Sequence, residues 1–349
     1  MKSKSLFAQL LFTLVGCALV LGVGGCQSTQ SQPRPVAAAK PKKVLVVGVT
    51  TEFRHSSIGT AEKILAQLGQ DSGAFTVVDY ARQPELKVPQ KPNPPQPPKP
   101  VAADADEKAH TKYQADLTKY AAAQKKYETD LAAFDPVAAK TAQAAYDQAL
   151  KENLAKLSPA NLKNYDGVIF ANTTGNLPLP DRQGFIDWVK NGGAFIAMHS
   201  GSDTFHGFRP YIEMLGGEFE THGAQVSVDA INKDKNHPAT KHLGDTFTVF
   251  DEIYIIKTYD PKTVHELLVL EAHPNSKKPG HFPIAWCKDF GQGKVFYTSL
   301  GHREDVWDPA DKNRKSNSKE VAEAYNQHIL GGIKWALGLE KGDATPQAK

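Results

Sequence analysis

The stretch from Gly192 to Asp203 constrains the fold of this chain more than any other part of the sequence. It reads Gly-Gly-Ala-Phe-Ile-Ala-Met-His-Ser-Gly-Ser-Asp, and its apolar strand ends at His199. The Ser-Gly pair predicts a turn, after which Ser202 or Asp203 is a candidate N-cap for a new helix. Such a strand–turn–helix raises one side chain above the carboxyl edge of a sheet, where several α/β enzymes hold their nucleophile.

The raised side chain here is an imidazole, which can accept or donate protons or bind a metal. The simpler interpretation is a histidine that only hydrogen-bonds within a tight turn. Ser200 adjoins it, but neighbouring side chains in a turn usually point apart, which disfavours a serine nucleophile activated by His199.

The rest of the pattern alternates strands with helices. Val44 to Val49 is an apolar, β-branched run typical of a buried parallel strand. A helix with Ile58, Ala61 and Leu65 on its inner face and a strand from Phe75 complete a β-α-β unit. Further strands are predicted at 165–172, 194–198, 225–231, 246–257, 265–272, 282–288 and 294–299, with a last helix at 319–337. This order predicts an α/β fold whose mostly parallel sheet carries helices on both faces and gains antiparallel strands late in the chain.

The first residues predict export. Lys2 and Lys4 precede an apolar run that ends in Val-Gly-Gly-Cys at Cys26. This resembles a bacterial lipoprotein signal, with 1–25 removed and lipid attached to the Cys26 thiol; an uncleaved membrane helix is the alternative. We therefore expect a lipid anchor in the cell envelope, at the outer membrane if the organism is Gram-negative because Gln27 follows the cysteine, and a flexible tether over 26–42.

The remaining chain is predicted to be one α/β domain, 43–338, with a tail at 339–349. Residues 81–158 interrupt it, because 87–100 is too rich in proline for regular structure. A heptad seam of mostly aromatic and leucine residues then predicts a helix that ends at Asp135-Pro136, followed by a second helix. We interpret the insertion as a helical hairpin, either a packing arm or a surface that contacts a protein partner.

Charge and motifs exclude some functions. The formal net charge of the 349 residues is +3, and no basic block stands out, so the sequence does not favour nucleic acid as a partner. The loop after the first predicted strand has no glycine-rich phosphate motif, which disfavours a nucleotide cofactor.

Four histidines are placed where ligands bind in open α/β sheets, beyond the strand ends. They are His55, His199, His222 and His302. Taken singly, each is more often a surface or packed histidine than a ligand. Together they predict a shared site for acid–base chemistry or for zinc or another divalent metal, although no close pair such as His-x-x-x-His is present.

Other polar residues are candidates for roles around His199. Asp203 and Glu252 are candidate catalytic residues that orient a histidine or act as a base, with a helix cap and an exposed edge as their simpler interpretations. Arg54, Ser200 and His206 are candidate substrate contacts.

Ordered motifs along the chain resemble the ThuA-like (trehalose utilisation) family, whose fold is similar to class I glutamine amidotransferases. The resemblance covers about 43–80 and 162–338. It rests on Phe53-Arg-His-Ser-Ser, Met198-His-Ser-Gly-Ser-Asp-Thr-Phe, Gly216-Gly-Glu-Phe-Glu-Thr-His, Asn236-His-Pro, Asp251-Glu-Ile-Tyr, Pro283-Ile-Ala-Trp, Gly293-Lys-Val-Phe-Tyr-Thr-Ser-Leu-Gly-His and Gly331-Gly-Ile-Lys-Trp-Ala.

The resemblance implies a flavodoxin-like sheet and a link to sugar catabolism. Amidotransferases hold a catalytic cysteine where this chain has His199, so glutamine hydrolysis is disfavoured. We expect an exported hydrolase or lyase acting on a glycoside or keto-sugar. The alternative is a non-catalytic sugar-binding or scaffold lipoprotein.

Overall fold

The computed structural model describes residues 40–347, which form a large mixed sheet, a small two-stranded sheet and helices on both sides of the large sheet. The strands are β1 (Lys42–Val47), β2 (Phe75–Ala81), β3 (Gly167–Ala171), β4 (Ala194–Met198), β5 (Glu218–His222), β6 (Val226–Asn232), β7 (Thr246–Asp251), β8 (Tyr254–Lys257), β9 (His265–Ala272), β10 (Pro279–Phe290) and β11 (Gly293–Thr298). The helices are α1 (Ile58–Ser72), α2 (Glu107–Ala133), α3 (Pro136–Leu154), α4 (Pro159–Leu162), α5 (Arg182–Lys190), α6 (Arg209–Leu215), α7 (Glu304–Trp307) and α8 (Lys319–Ala336).

The large sheet has a parallel half and an antiparallel half. Strands β2-β1-β3-β4-β11 pair in parallel in the flavodoxin-like order, and β10-β9-β6-β7 continue the sheet with antiparallel pairing. The predicted α/β class and the late antiparallel strands are confirmed. Since β1, β4 and β11 run in the same direction, their carboxyl ends meet at one edge.

The core lies in two layers, one on each face of the sheet. On one face α1 and α8 contribute Leu65, Ile329 and Trp335, all with no exposed surface. On the other face α3, α5 and α6 cover the sheet with residues such as Leu154 and Phe185. Each such side chain contributes about 1.5–3 kcal/mol of stabilisation by leaving water. The rigid sheet edge between these layers is what positions the loops of the site.

Three details differ from the sequence predictions. The strand predicted at 246–257 is two strands in different sheets, β7 and β8, because the chain breaks at Glu252 and Ile253. Strand β5 was not predicted. The turn after β4 is a short 3-10 helix, His199–Asp203, and the next α-helix begins only at Arg209, so neither Ser202 nor Asp203 caps it.

The inserted segment combines a surface helix with a core helix. Residues 82–106 contain no helix or strand, as the prolines predicted. Helix α2 buries no side chain fully. The predicted heptad seam is half-buried along its length, at Tyr113, Leu117, Tyr120, Gln124, Tyr127, Leu131 and Phe134. Helix α3 buries Leu150 and Leu154 in the core beside α5. The domain boundaries and the partner-binding role of this segment remain predictions.

Among residues 40–347, no helix is long and apolar enough to cross a membrane. The predicted signal peptide, the predicted lipidation site at Cys26 and most of the predicted tether lie outside the described residues.

Candidate functional site

Four side chains converge beyond the carboxyl edge of the parallel strands. His55 comes from the loop after β1, His199 directly follows β4, and His302 lies in the loop after β11. Glu252 enters from the antiparallel half, at the break between β7 and β8. One ligand atom from each lies within 4.8 Å of all the others. The sheet therefore gathers residues that are up to 247 positions apart in sequence.

The Nε2 atom of His199 is the centre of the cluster. It lies 3.2 Å from His55 Nε2, 3.3 Å from His302 Nδ1 and 3.7 Å from Glu252 Oε2. His302 Nδ1 lies 3.2 Å from the same Glu252 oxygen. A metal with bonds of about 2.1 Å holds neighbouring ligand atoms about 3.0 Å apart in an octahedron and about 3.4 Å apart in a tetrahedron. The observed spacings fit such a shell.

The two most buried imidazoles present lone pairs to this centre. His199 Nδ1 donates to the Ser299 carbonyl at 2.8 Å, which leaves Nε2 free to accept a metal. Burial, reinforced by the neighbouring histidines, lowers the pKa of His199 well below its usual value. Burial likewise lowers the pKa of His55 to about 4. Both rings are therefore neutral at pH 7, the form that binds metals.

The carboxylate of Glu252 links two further histidines. Burial acts to raise its pKa, but the hydrogen bond and charge of His302 outweigh burial and lower it. The pKa of His302 is raised, since its bond to Glu252 outweighs the effect of burial. Glu252 Oε1 lies 3.1 Å from His222 Nδ1. His222 thus belongs to the site as a partner of the carboxylate, at the solvent-exposed end of β5.

The backbone conformation orients His199 and His302 towards the cluster. His199 has a φ of 45°, a left-handed conformation that is uncommon outside glycine and marks a strained turn. Gly301, just before His302, has a φ of 119°; its N–H donates to Asp251 Oδ2, and its carbonyl accepts from Asn172 and Trp307. These bonds hold the His302 loop against the sheet.

The cluster has the donor chemistry of a divalent metal site. Three imidazole nitrogens and one carboxylate oxygen suit zinc and its borderline neighbours. His199 and His55 each use their other nitrogen in a hydrogen bond, the arrangement that orients metal-binding histidines. The residues present therefore fit a metal.

A second group lies on the turn that follows His199. His206 is hydrogen-bonded to Asp203 Oδ1 at 2.5 Å and to Glu218 Oε1 at 3.0 Å. Burial opposes protonation of His206, but these two bonds raise its pKa. Asp203, predicted to orient the clustered histidines, pairs with His206 instead, and Glu52 lies within 4.8 Å of both.

Of the other two predicted substrate contacts, Ser200 contacts a histidine of the cluster and Arg54 does not. Ser200 is fully buried, and its hydroxyl is hydrogen-bonded to His55 Nδ1 at 3.2 Å. This differs from the predicted substrate contact, because the buried hydroxyl can orient His55 but cannot face solvent. Arg54 Nη1 donates to the Gly48 carbonyl at 2.8 Å and lines a neighbouring cavity at the base of α3.

Sequence reasoning missed the residues that support the cluster. Tyr254 packs its ring 4.2 Å from the His199 ring, Ser299 fixes the His199 tautomer, and Asp251 anchors Gly301. Tyr254 and Asp251 belong to the Asp-Glu-Ile-Tyr motif, which the sequence comparison with the family identified. Their roles could not be predicted, because their contacts with His199 and Gly301 form only in the folded sheet.

The family model described as ThuA, trehalose utilisation, matches residues 116–336, which is more than half of the chain. The chain belongs to the ThuA family. The matched span contains His199, Glu252 and His302, whereas His55 precedes it. No curated protein sequence matches the chain.

Two solved ThuA-like proteins share the fold. One, from Bacteroides uniformis, is 16% identical with a TM-score of 0.52 and covers 88% of this chain and 95% of its own. The other, from Parabacteroides merdae, is 17% identical with a TM-score of 0.51 and covers 85% of this chain and 90% of its own. At these identities the likeness supports the ThuA-like fold alone.

Proposed function

We propose that this ThuA-family protein is an exported, lipid-anchored enzyme of glycoside or keto-sugar breakdown that uses a divalent metal. The observation that carries the proposal is the convergence of His55, His199, His302 and Glu252 at metal-ligand spacing. The family description, trehalose utilisation, supports a sugar as the substrate class. Anchoring through Cys26 would place the enzyme in the cell envelope.

The three histidines and Glu252 would hold the metal. Bound there, a divalent ion would polarise a hydroxyl or carbonyl oxygen of the sugar. A keto group activates its neighbouring carbon towards proton loss, which is why keto-glycosides suit either hydrolysis or elimination.

The pair of Asp203 and His206 would supply the proton for the departing oxygen. His206 holds a proton readily because Asp203 and Glu218 both accept from its ring. It is about one-third exposed, so it can exchange protons with solvent. In this arrangement Asp203 orients His206, and His222 keeps Glu252 turned towards the metal ligands.

Turnover of a keto-glycoside, followed by NMR, tests this function. The protein purified without chelator should release product, and His199→Ala should lower the rate at least a hundredfold, about the contribution of one acid–base or ligand group. His110→Ala, on helix α2 away from the cluster, is the matched control and should retain activity. An unsaturated product would identify a lyase and a hydrated product a hydrolase.

Two outcomes would reject the proposal. Unchanged turnover in His199→Ala would remove the cluster from catalysis. Sugar binding by calorimetry without any product over long incubation would instead favour a non-catalytic sugar-binding lipoprotein.

A further inference from the structure

A second group of possible metal ligands lies on the turn that begins at His199. Glu52, Asp203 and His206 each offer one ligand atom, and these atoms lie within 4.8 Å of one another. Asp203 ends the 3-10 turn after β4, and Glu52 comes from the loop after β1. Glu52 is exposed and the other two are half-buried, so a dissolved ion can reach the group. These three residues are the outer cluster, as distinct from the first cluster of three histidines and Glu252.

His206 is held in the way that proteins hold a metal-binding histidine. Its Nδ1 donates to Glu218 Oε1 at 3.0 Å, while its Nε2 faces Asp203. Glu218 is buried on β5, and the Gly207 N–H at 3.0 Å and Lys257 Nζ at 3.6 Å hold it in place. A carboxylate behind one ring nitrogen fixes the ring and strengthens the other nitrogen as a ligand. His206 can therefore present Nε2 to a cation without any change in its support.

Backbone contacts between three loops hold the two carboxylates of the outer cluster together. The Thr51 N–H donates to the Thr174 carbonyl at 3.0 Å, and the Gly175 N–H donates to the Asp203 carbonyl at 2.8 Å. Gly175 packs so closely against the first loop that a Cβ there would lie 2.9 Å from Glu52 Cγ. The loops after β1, β3 and β4 therefore fix the place of Glu52 beside Asp203, although Glu52 is exposed.

The outer cluster carries more negative charge than its neighbouring cations balance. Three carboxylates lie here, those of Glu52, Asp203 and Glu218. Two cations pair with them, His206 in its protonated form and Lys257. Burial raises the pKa of Asp203, and the charge of Glu52 adds to this effect while His206 opposes it. A divalent cation in place of the His206 proton would bring these groups to neutrality.

The donors of the outer cluster suit a harder cation than those of the first cluster. Two carboxylate oxygens and one imidazole nitrogen are available, whereas the first cluster offers three nitrogens and one oxygen. Oxygen-rich sets suit manganese(II), and imidazole-rich sets suit zinc.

Two features make binding at the outer cluster the weaker of the two. A cation must displace the proton between His206 Nε2 and Asp203 Oδ1. These atoms are 2.5 Å apart and must separate by about 0.5 Å to reach the spacing of an octahedral shell. Exchange into metal-free buffer before elemental analysis should therefore empty the outer cluster and leave the first cluster filled.

We propose that Glu52, Asp203 and His206 form a second, weaker site for a divalent cation of the manganese type, and that this cation inhibits turnover by taking the place of the His206 proton. The inhibition rests on the proposed function, in which His206 supplies that proton, whereas the binding does not. The first cluster keeps its own metal, because none of its ligands takes part.

Electron paramagnetic resonance of manganese(II) tests the site in the mature protein loaded with one equivalent of zinc. Zinc binds more tightly than manganese and so blocks the first cluster. One manganese ion per chain should bind, and Glu52→Gln should weaken its binding by at least about tenfold, because a charged ligand becomes neutral. Glu220→Gln, which changes an exposed carboxylate of β5 outside the cluster, is the matched control and should bind manganese as the wild type does.

Turnover of a keto-glycoside by the zinc-loaded protein tests the inhibition. Manganese should lower the rate. Glu52→Gln should need at least about tenfold more manganese for the same loss, and should keep the wild-type rate when manganese is absent. An unchanged rate with manganese bound would overturn the inhibition.

Manganese bound equally by the wild type and Glu52→Gln, or no bound manganese, would overturn the site. Manganese that is lost in His199→Ala/His302→Ala but retained in Glu52→Gln would also overturn it, because the ion would then lie in the first cluster. The two proposals fail separately. Absent turnover with Glu52-dependent manganese binding rejects the enzyme but leaves the cation site. Turnover that depends on His199, with manganese binding that does not depend on Glu52, rejects the cation site but leaves the enzyme.

Discussion

The buried hydroxyl of Ser200 has two possible roles in the turn after β4: it orients His55, or it is a nucleophile. Its Oγ lies 3.2 Å from His55 Nδ1 and has no exposed surface. A residue that orients a metal-binding histidine typically changes metal affinity by about 10–100-fold when it is removed. A nucleophile would instead be required for any turnover.

We therefore expect Ser200→Ala to fold normally and to bind zinc about 10–100-fold more weakly, with residual activity at saturating metal. Chelator competition measures the affinity, and thermal unfolding checks the fold. Complete loss of activity at saturating zinc would favour the nucleophile, and unchanged affinity would show that Ser200 does not position His55.

At the scale of elements, the loop between β11 and α7 depends on Gly301. A Cβ at this position would lie 2.7 Å from the Tyr325 hydroxyl, and its φ of 119° disfavours any other residue. Gly301→Ala should lower the free energy of unfolding by about 1–3 kcal/mol and weaken metal binding, because His302 follows directly. Urea unfolding and chelator competition measure the two effects.

Gly73→Ala is the matched control for this change. Gly73 ends α1 with a φ of 61°, and a Cβ there would meet no atom within 4 Å. The Gly73→Ala variant should lower the free energy of unfolding by only about 1 kcal/mol, the backbone contribution, and should keep the metal affinity of the wild type. Equal effects of the two variants on metal affinity would contradict a specific role for the Gly301 loop.

The Pro-rich segment and α2 show matching patterns of burial. Pro92, Pro95, Pro98 and Val101 are half-buried, whereas the prolines between them are exposed. A repeat of three is that of a polyproline II helix, and the Tyr-rich seam of α2 is also half-buried. We expect the two half-buried faces to cover each other.

Replacing Pro92, Pro95 and Pro98 by Ser should therefore speed tryptic cleavage at Lys125 and Lys126 in α2 several-fold, as local opening becomes easier. The control triple variant changes the exposed prolines Pro94, Pro97 and Pro100. Equal cleavage of the two variants would mean that the prolines do not cover the helix.

Local patterns predicted most of these elements, but not every pairing. The buried strand Ala194–Met198 was bounded correctly because a continuous apolar run ends at a polar turn. The break at Glu252 lies inside a strand-like stretch of sequence, so no local pattern predicts it. It becomes apparent only in the structure, where the chain passes from one sheet to the other at this point. Strand β5 has three exposed residues among its five and pairs only with β8, so its local signal is weak.

At the scale of the whole molecule, buried histidines set the response to acid. Burial lowers the pKa of His237 to about 4 and that of His328 to about 3, from an ordinary value of 6.5 in the unfolded chain. Between these values the unfolded state binds more protons than the folded state. The stabilisation that comes from keeping these two histidines neutral is therefore fully present above pH 6.5. It is lost as the pH falls from 6.5 towards the two folded-state pKa values.

His328→Asn tests this linkage, since the Asn Nδ2 group takes about the place of His328 Nδ1 and can still donate to the Ala239 carbonyl. Between pH 6 and 4 the wild type should lose about 1.4 kcal/mol more stability per pH unit than the variant. Urea unfolding at each pH gives the two curves. Parallel curves would show that His328 is not buried in its neutral form.

The whole molecule also determines which site predictions the sequence could make. The alternation of strands and helices in the sequence implies parallel strands whose carboxyl ends share one edge of the sheet. This is enough to predict that His55, His199 and His302 lie together. The pairing of His206 with Asp203 and Glu218 depends on loops whose paths carry no local signal.

Metal content is the most direct test of the central claim that the clustered histidines and Glu252 form a metal site. Elemental analysis of protein purified without chelator and then supplied with zinc should find one divalent ion per chain. The double variant His199→Ala/His302→Ala should lose it, and His110→Ala should retain it. An ion retained in the double variant, or no ion in the zinc-supplied wild type, would contradict the account.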